Sequence, residues 1–315
     1  MPAISLSLPT GCGSNSFTSN IMSGGPSVVR RPFFEKSNTE LTSSLRGNFS
    51  NHQSESGTDY KSWTTQADGS LHVPTHEPSP LVEPRESYDI TVKLFYLPNV
   101  PADRRCAQTR EAIELVLKEL GSKSIDLLIV SFPGMAFDAD DEDSDLEDPP
   151  SAPQSTSEGC DDTEVPPEDI ETMAATWKTL EKLHSEGLVS KLGIAEFGVA
   201  RLEKFLEHTT VKPSVNQINV RDCCVVPKPL ILYAKQQQIE LLTHNDCTNI
   251  LPRGTLRQIL GSEENGSGIL ASESNKDGLK GDVAPQWVVK YTAVVKDRGV
   301  VENKGYFAAA ELRET

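Results

Sequence analysis

The residues best suited to carry chemistry lie within one stretch, residues 211–246. Two adjacent thiols, Cys223 and Cys224, could take part in disulfide exchange, and the imidazole of His244 could carry a proton near neutral pH. Further polar side chains stand beside them, namely Asp222, Asn245 and Asp246. All of them lie close to the ends of predicted strands, where parallel folds usually hold their functional sites. We therefore expect a partner-binding or redox site here.

The same stretch predicts the elements that must position these residues. Residues 215–220 alternate with a period of two, which predicts a strand. Pro227 and Pro229 stand where a helix would begin, since proline is tolerated in a first helical turn. Residues 239–243 then return to strand. A strand, a helix and a strand within this length indicate a parallel βαβ unit.

Each of these side chains also has an ordinary structural explanation. A free cysteine usually packs as a small apolar residue, so Cys223 and Cys224 are either packing residues or a redox pair. A disulfide between adjacent cysteines needs a strained turn, whereas a disulfide to a partner needs only one exposed thiol. His244 is either a loop histidine satisfied by its neighbours or part of a site. The sequence leaves these alternatives open.

The acidity of the chain belongs to one segment. The net charge is −16, yet residues 138–169 hold 14 acidic side chains and no lysine or arginine, and the remainder holds 32 acidic and 30 basic residues. We expect the acidic insert, residues 138–166, to be a disordered and solvated loop that could steer a basic partner. The nearly neutral remainder lacks the basic face that nucleic-acid binding requires.

Cysteine usage and the lack of long apolar segments predict a soluble protein. Six cysteines are scattered over 315 residues, a spacing that suggests neither a disulfide framework nor a metal site. A reducing, intracellular compartment fits this usage. The first residues lack the charged and apolar regions of a secretory signal, and the apolar run at residues 125–130 is too short to cross a bilayer. We expect a cytoplasmic protein that contacts no membrane.

Residues 1–85 are rich in Ser, Thr, Asn, Gly and Pro, with few apolar clusters. This composition predicts a largely disordered or loosely packed N-terminal region, because little surface can be buried to offset the lost chain entropy. Two parts are exceptions. Residues 38–49 are expected to form a short helix with Leu41 and Leu45 on one face, and Trp63 and residues 71–73 are expected to pack onto the fold.

From residue 86 to residue 310 the pattern predicts one α/β domain. Strands are expected at residues 89–97, 125–131, 191–195, 215–220 and 239–243, and helices at residues 103–120, 167–187, 200–208, 227–238 and 256–260. We expect a loop at residues 261–284, a helix at residues 285–298 and a short strand at residues 300–302. Such alternation requires a mainly parallel sheet covered by helices. Composition does not decide between a closed barrel and an open sheet.

The segment KPSVNQINVRDCCVVPKPLILYAKQQQIELLTHND resembles the regulatory (light or modifier) subunits of glutamate–cysteine ligase, in a fungal-type form. That family is related to the aldo-keto reductases. The adjacent cysteines and the LTHND ending are its most specific parts, and a looser resemblance extends from about residue 87 to residue 308. It implies a TIM-barrel-like (β/α)8 fold of aldo-keto reductase type, complete or incomplete, with early strands supplied by the first 85 residues.

The resemblance also implies which catalytic residues to look for. Aldo-keto reductases use a tyrosine acid, a lysine that lowers its pKa, an aspartate and a histidine. Lys93 stands where the lysine belongs, at a strand end, but Ser131 stands where the histidine belongs. Asp59 and Tyr60 are adjacent, whereas the aspartate and tyrosine should be five positions apart. Without a placed acid, no proton reaches a carbonyl. We therefore expect no catalytic residues, and Lys93 and Ser131 as vestiges. Lys93 itself is either a remnant that neutralises a carboxylate inside the barrel or a functional group.

The expected nicotinamide contacts are also largely missing, so we expect no cofactor and no tight NADP binding. Gln217 keeps the family's position. Other positions depart from the family's pattern: Ala195 and Glu196 replace a serine and an asparagine, and no aromatic residue stands near Thr243. Lys304 is similar to the family's lysine for the 2′-phosphate of the cofactor, but the arginine expected a few residues later is absent. A vestigial pocket around Gln217 is what remains.

The resemblance implies a non-catalytic regulatory subunit. In the family, such a subunit binds the catalytic subunit of glutamate–cysteine ligase, improves its use of glutamate and relieves feedback inhibition by glutathione. We expect the contact surface at residues 222–226 and 244–247. The alternative is an NADP-dependent aldo-keto reductase.

Overall fold

The computed structural model describes residues 4–10, 37–57, 59–67, 70–137, 166–219, 226–263, 266–273 and 275–313. Of the expected acidic insert, residues 138–166, only residue 166 is among the described residues. The strands are β1 (Ile4–Pro9), β2 (Thr65–Ala67), β3 (Ser70–His72), β4 (Tyr88–Tyr96), β5 (Ile125–Ser131), β6 (Val189–Ala195), β7 (Val215–Ile218), β8 (Glu240–Thr243), β9 (Asp282–Val295) and β10 (Val300–Arg313). The helices are α1 (Thr39–Ser56), α2 (Arg105–Leu120), α3 (Ile170–Ser185), α4 (Val199–Leu206), α5 (Lys228–Gln237) and α6 (Arg253–Leu260).

The strands form one mixed sheet in the order β2-β3-β1-β10-β9-β4-β5-β6-β7-β8. Strands β4 to β8 are parallel neighbours, joined by helices as the sequence predicts. This confirms the α/β class of aldo-keto reductase type. The sheet does not close into a barrel, because its end strands β2 and β8 do not pair with each other in the part of the chain described.

Helices cover both faces of this sheet. Alternate residues of β4 point to opposite sides. Ile90, Val92 and Leu94 join the apolar core that contains residues of α2 to α5, and Phe95 joins a second core with residues of α1 and α6. The second face corresponds to the interior of a barrel. Near β4, β9 and β10 it is therefore filled by helices of the same chain.

The described parts of residues 1–85 are packed into the fold. The helix predicted at residues 38–49 is present as α1 and is longer than predicted. Its buried face carries Leu41, Leu45 and Phe49, and Phe49 lies 5.9 Å from the ring of Trp63. Strand β1 pairs antiparallel with β10. The sequence concealed this packing because β1 joins a strand some 300 residues later, whereas local patterns report near neighbours.

The helix predicted at residues 285–298 is wrong, because the chain forms β9 there. Trp287, Val289, Tyr291, Ala293 and Val295 all join the first core, which is the period-2 pattern of a strand. Strand β9 and β10 form a long antiparallel hairpin, so the strand predicted at residues 300–302 extends to Arg313. Gly299, expected to end a helix, instead takes a positive φ of 60° in the hairpin turn.

Candidate functional site

Lys93 lies within β4, three residues before its end, rather than at the strand end. Its register partners are Ile129 in β5 and Lys290 in β9. The side chain is buried and donates hydrogen bonds to Asp246 Oδ2 at 3.0 Å and to His244 Nδ1 at 3.2 Å. Burial lowers the pKa of Lys93, and Asp246 opposes that shift. Lys93 is thus held in a buried ion pair, one of the two roles left open for it.

Asp246 joins two neighbouring lysines on the face that α1 covers. It follows β8 and accepts hydrogen bonds from Lys93 through Oδ2 and from Lys290 through Oδ1, the latter at 3.2 Å. The two lysines are directly opposite in adjacent strands, where like charges repel. Burial raises the pKa of Asp246, but the two lysines outweigh burial and hold this pKa below its ordinary range. Asp246 therefore stays ionised and holds the lysines together.

Glu40, in the first turn of α1, fixes the helix over the same face. Its carboxylate lies 3.2 Å from Lys290 Nζ and accepts hydrogen bonds from Lys304 at 2.9 Å and from the Tyr306 hydroxyl at 2.7 Å. Burial opposes ionisation, but Lys290, Tyr306 and Lys304 together lower the pKa of Glu40 from its ordinary value of 4.5 to about 2. Lys304, considered above for a phosphate contact, is thus paired within the chain.

Glu196 and His244 extend the contacts of Lys93. Glu196 lies between β6 and α4, is buried and has a φ of 67°. Its Oε1 is 2.9 Å from His244 Nε2, and its Oε2 accepts the N–H of Phe137 at 2.8 Å. Burial lowers the pKa of His244, Lys93 lowers it further, and Glu196 opposes both. His244 is thus a largely neutral imidazole between Lys93 and Glu196.

This cluster, which we call the ion network, balances three carboxylates against three lysines. Its members are Glu40, Lys93, Glu196, His244, Asp246, Lys290, Lys304 and Tyr306. Burial and the nearby Glu40 raise the pKa of Tyr306, so its hydroxyl is a poor proton donor. Within the described residues, the hydrogen bonds of Lys93 reach no tyrosine. The geometry is that of a structural ion cluster.

The residues that would hold a nicotinamide do not fit that group. Gln217 is partly buried, and its Oε1 accepts no hydrogen bond from the residues that the structure describes. However, the buried carboxylate of Glu196 stands where the family has a neutral amide, and His244, near the expected aromatic position, is bound by Glu196 and Lys93. Ser131 is buried at the end of β5. Glu196 therefore places a buried charge where the family has a neutral side chain, and His244 is already engaged within the chain.

The predicted site residues are only partly brought together. His244 and Asp246 belong to the ion network, and Asn245 between them is exposed. Asp222, Cys223 and Cys224 lie outside the described residues. Cys247 is buried and disulfide-bonded, which departs from the expectation of unpaired thiols, whereas Cys106 is free and exposed.

Sequence reasoning missed three members of the ion network, namely Glu40, Lys290 and Tyr306. Lys290 and Tyr306 lie in β9 and β10, which the sequence analysis did not identify as long strands. A lysine that interrupts the apolar run WVVKYTAVV was the available signal, because a charge in a buried strand needs a partner.

Among the described residues, no group of His, Cys, Asp or Glu is arranged to hold a metal. The helices described are too short or too polar to span a membrane.

Acid should weaken the attachment of α1 over the pH range set by Glu40. A carboxylate whose pKa is lowered by folding stabilises the protein above its unfolded value and loses that contribution as pH falls through the folded value. The variant Glu40→Gln is therefore expected to be less stable than the parent at pH 7, and equally stable near pH 2. Urea unfolding at several pH values measures this difference. Glu55→Gln, on an exposed position of the same helix, is the matched control. A difference independent of pH would contradict the assignment.

The chain is similar to the following three known proteins. The glutamate–cysteine ligase regulatory subunit of Mus musculus is 27% identical over 229 residues, which is 73% of this chain and 68% of the relative. The protein of the same name from Homo sapiens is 26% identical over the same shares. A structure of the aldose reductase from Schistosoma japonicum has a TM-score of 0.34 and 26% identity, over 50% of this chain and 46% of that chain.

The model of the aldo/keto reductase family matches residues 79–293. This range includes β4 to β8, the helices between them and most of the ion network. It covers more than half of the chain, so the relationship does not rest on a short motif. The chain belongs to the aldo/keto reductase family.

Proposed function

We propose that this chain is a non-catalytic regulatory subunit of glutamate–cysteine ligase. It would bind the catalytic subunit in the cytoplasm, improve the use of glutamate and relieve inhibition by glutathione. A regulatory subunit can shift its partner only by binding one conformation of that partner more tightly than another. This proposal is supported by the names of the related proteins and by the large share of this chain over which they match.

The observation that carries the non-catalytic part is the engagement of Lys93. A reductase lysine must lower the pKa of a tyrosine acid, but Lys93 is buried and donates its hydrogen bonds to Asp246 and His244. Tyr306, the tyrosine in the same network, has its pKa shifted in the opposite direction by burial and Glu40. General acid catalysis needs a donor with a pKa near the working pH.

We place the partner contact at residues 222–226 and 244–247. Residues 244–247 lie at the carboxyl end of β8, where Asn245 is exposed while its neighbours are held by the ion network. An exposed side chain on a rigidly held backbone suits a recognition surface, because little order is lost on binding.

The test is complex formation with the catalytic subunit, followed by glutathione inhibition curves and the KM for glutamate. The parent chain is expected to co-purify with the catalytic subunit. It should also shift the inhibition curve to higher glutathione concentrations and lower the KM for glutamate. Asn245→Arg should weaken the complex about tenfold or more by placing a bulky charge in the contact. Ser185→Arg is the matched control, since Ser185 is exposed at the end of α3, at the opposite end of the strands. No complex and unchanged curves with the parent chain would refute the proposal.

An NADP-dependent reductase remains the second candidate because Lys93 and Gln217 are retained. It requires saturable NADPH binding and turnover of a model aldehyde that Lys93→Met abolishes. Since Lys93 is buried in an ion pair, the same variant should instead lower stability and leave no turnover to lose.

A further inference from the structure

Glu196 has a backbone conformation that residues with a Cβ rarely adopt. It directly follows β6 and has a φ of 67°, in the left-handed region that favours glycine. Its N–H donates to the carbonyl of Gln217 at 2.8 Å. Both backbone groups of the next residue, Phe197, bond to the buried side chain of Asn216, at 2.7 and 3.3 Å. Strain that the surroundings hold in place in this way is typical of functional positions.

The carboxylate of Glu196 contacts three segments that follow three different strands. Its Oε2 accepts the N–H of Phe137, after β5, at 2.8 Å, and lies 3.5 Å from the backbone nitrogen of Asn219, after β7. Its Oε1 lies 2.9 Å from Nε2 of His244, after β8. The carboxyl ends of these parallel strands meet at one edge of the sheet. One buried side chain therefore fixes three segments at that edge.

These contacts require a carboxylate rather than an amide. The Nδ1 atom of His244 accepts the N–H of Asp246 at 3.1 Å and faces Lys93 at 3.2 Å, so the proton of the neutral imidazole is on Nε2. A carboxylate can accept hydrogen bonds on both of its oxygens, whereas an amide has one acceptor oxygen. Glu196→Gln would therefore turn an NH2 group toward either His244 or Phe137.

Two exposed residues stand on the backbone that these contacts fix. Ala136 is exposed, and both of its neighbours are buried. The carbonyl of Met135 accepts the hydroxyl of Thr248 at 2.7 Å, and the residue after Ala136 donates its N–H to Glu196. Asn245 is likewise exposed between two members of the ion network. The bond from Thr248 joins the segment after β5 to the segment after β8, so both exposed residues belong to one surface.

We propose that Glu196 is the positioning residue of the surface that binds the catalytic subunit, and that this surface extends to Ala136. The inference rests on the proposed function, which assigns the contact to residues 222–226 and 244–247. Segments that are fixed before binding lose less entropy on binding, so Glu196 adds affinity without touching the partner. The exposed side chains of Ala136 and Asn245 are small and uncharged, which allows close approach of a partner.

The test compares Glu196→Gln with a matched variant, Glu119→Gln. Glu119 is also buried and also contacts a histidine, His76 Nε2 at 2.6 Å. However, it lies in the last turn of α2, before β5 and thus at the opposite edge of the sheet. Both variants are expected to lower stability in urea. Only Glu196→Gln should weaken the complex with the catalytic subunit, by about tenfold or more.

Two further measurements separate positioning from general stability. Ala136→Arg changes an exposed residue and should weaken the complex about tenfold or more, whereas Ala175→Arg, at an exposed position of α3, should leave it unchanged. Residue-resolved hydrogen exchange should show about tenfold faster exchange of the Phe137 amide in Glu196→Gln and no such change in Glu119→Gln.

The outcomes distinguish this inference from the proposed function. If the parent chain binds the catalytic subunit and either Glu196→Gln or Ala136→Arg binds equally well, the proposed function stands and this inference is wrong. Equal losses of affinity in Glu196→Gln and Glu119→Gln would assign Glu196 to general stability and would also overturn the inference. No complex with the parent chain would refute both.

Discussion

Replacing Asp246 by asparagine is expected to lower the free energy of unfolding by about 3–5 kcal/mol, the usual cost of leaving a buried charge without its partner. Asparagine keeps the size of the side chain but removes the charge that faces Lys93 and Lys290. Lys290 is 28% exposed and can turn toward water, whereas Lys93 is 5% exposed and cannot. The loss should therefore fall mainly on Lys93, and urea unfolding measures it.

The double variant Lys93→Met/Asp246→Asn separates the lost pair from other damage. Removing both charges leaves no unpaired ion, so the double variant should be more stable than the sum of the single effects predicts, by about 1–3 kcal/mol. Glu186→Gln, which removes an exposed pair with Arg110, should change stability very little. If Asp246→Asn matched the parent in stability, Lys93 would have to be neutral in the folded chain.

The parallel half of the sheet was predictable because its signals are local. Each strand from β4 to β8 is followed by its helix within ten residues, except at the acidic insert. Helix α3 is capped by Asp169, whose side chain accepts the N–H of Thr172. The aldo-keto relationship was likewise carried by one continuous segment. Hydrophobic periodicity and helix caps can be recognised within a short stretch of sequence, without knowledge of distant residues.

The β9 and β10 hairpin was mispredicted because two periods fit the same residues. Trp287 and Tyr291 are four apart, which suits a helix, yet they also share the odd-numbered face of a strand with Val289. The high content of β-branched residues favoured the strand. Pairing with β4 and β10 along the whole length of β9 decides the outcome, and neither partner is visible locally.

The candidate site was half predictable for a related reason. Lys93, His244 and Asp246 were singled out from strand positions, but the contacts that define their state join distant residues. Glu40 and Tyr306 are 266 positions apart, and Lys93 and Asp246 are 153 apart. The sequence therefore indicated that Lys93 was either an acid–base group or a buried ion, and the structure favours the buried ion.

The ion network explains how a reductase-type sheet can lose access to its own lysine. Helix α1 and α6 fill the face that would form the barrel interior near β4, and Glu40 fastens α1 to β9 and β10. Substrate approach to Lys93 would require the departure of α1 and of the segment after β8. The non-catalytic proposal therefore depends on the packing of α1 over Lys93.

Replacing Phe49 by alanine should lower the free energy of unfolding by about 3–5 kcal/mol, the usual cost of truncating a buried phenylalanine. Phe49 is 2% exposed and belongs to the core that joins α1 to β1, β9 and β10. Asn51→Ala, on the exposed side of the same helix, is the matched control. Urea unfolding and limited proteolysis of α1 measure the effect.

The three tryptophans report whether the loss spreads beyond α1. Trp63 lies against Phe49, whereas Trp177 and Trp287 belong to the core on the other face. If α1 detaches first, a fluorescence transition restricted to Trp63 should precede unfolding of the rest, as expected for a locally less stable unit. Glu40 would leave with it, and Lys93 would then become accessible to solvent. A change below about 1 kcal/mol would mean that α1 contributes little to the core and does not seal the face above Lys93.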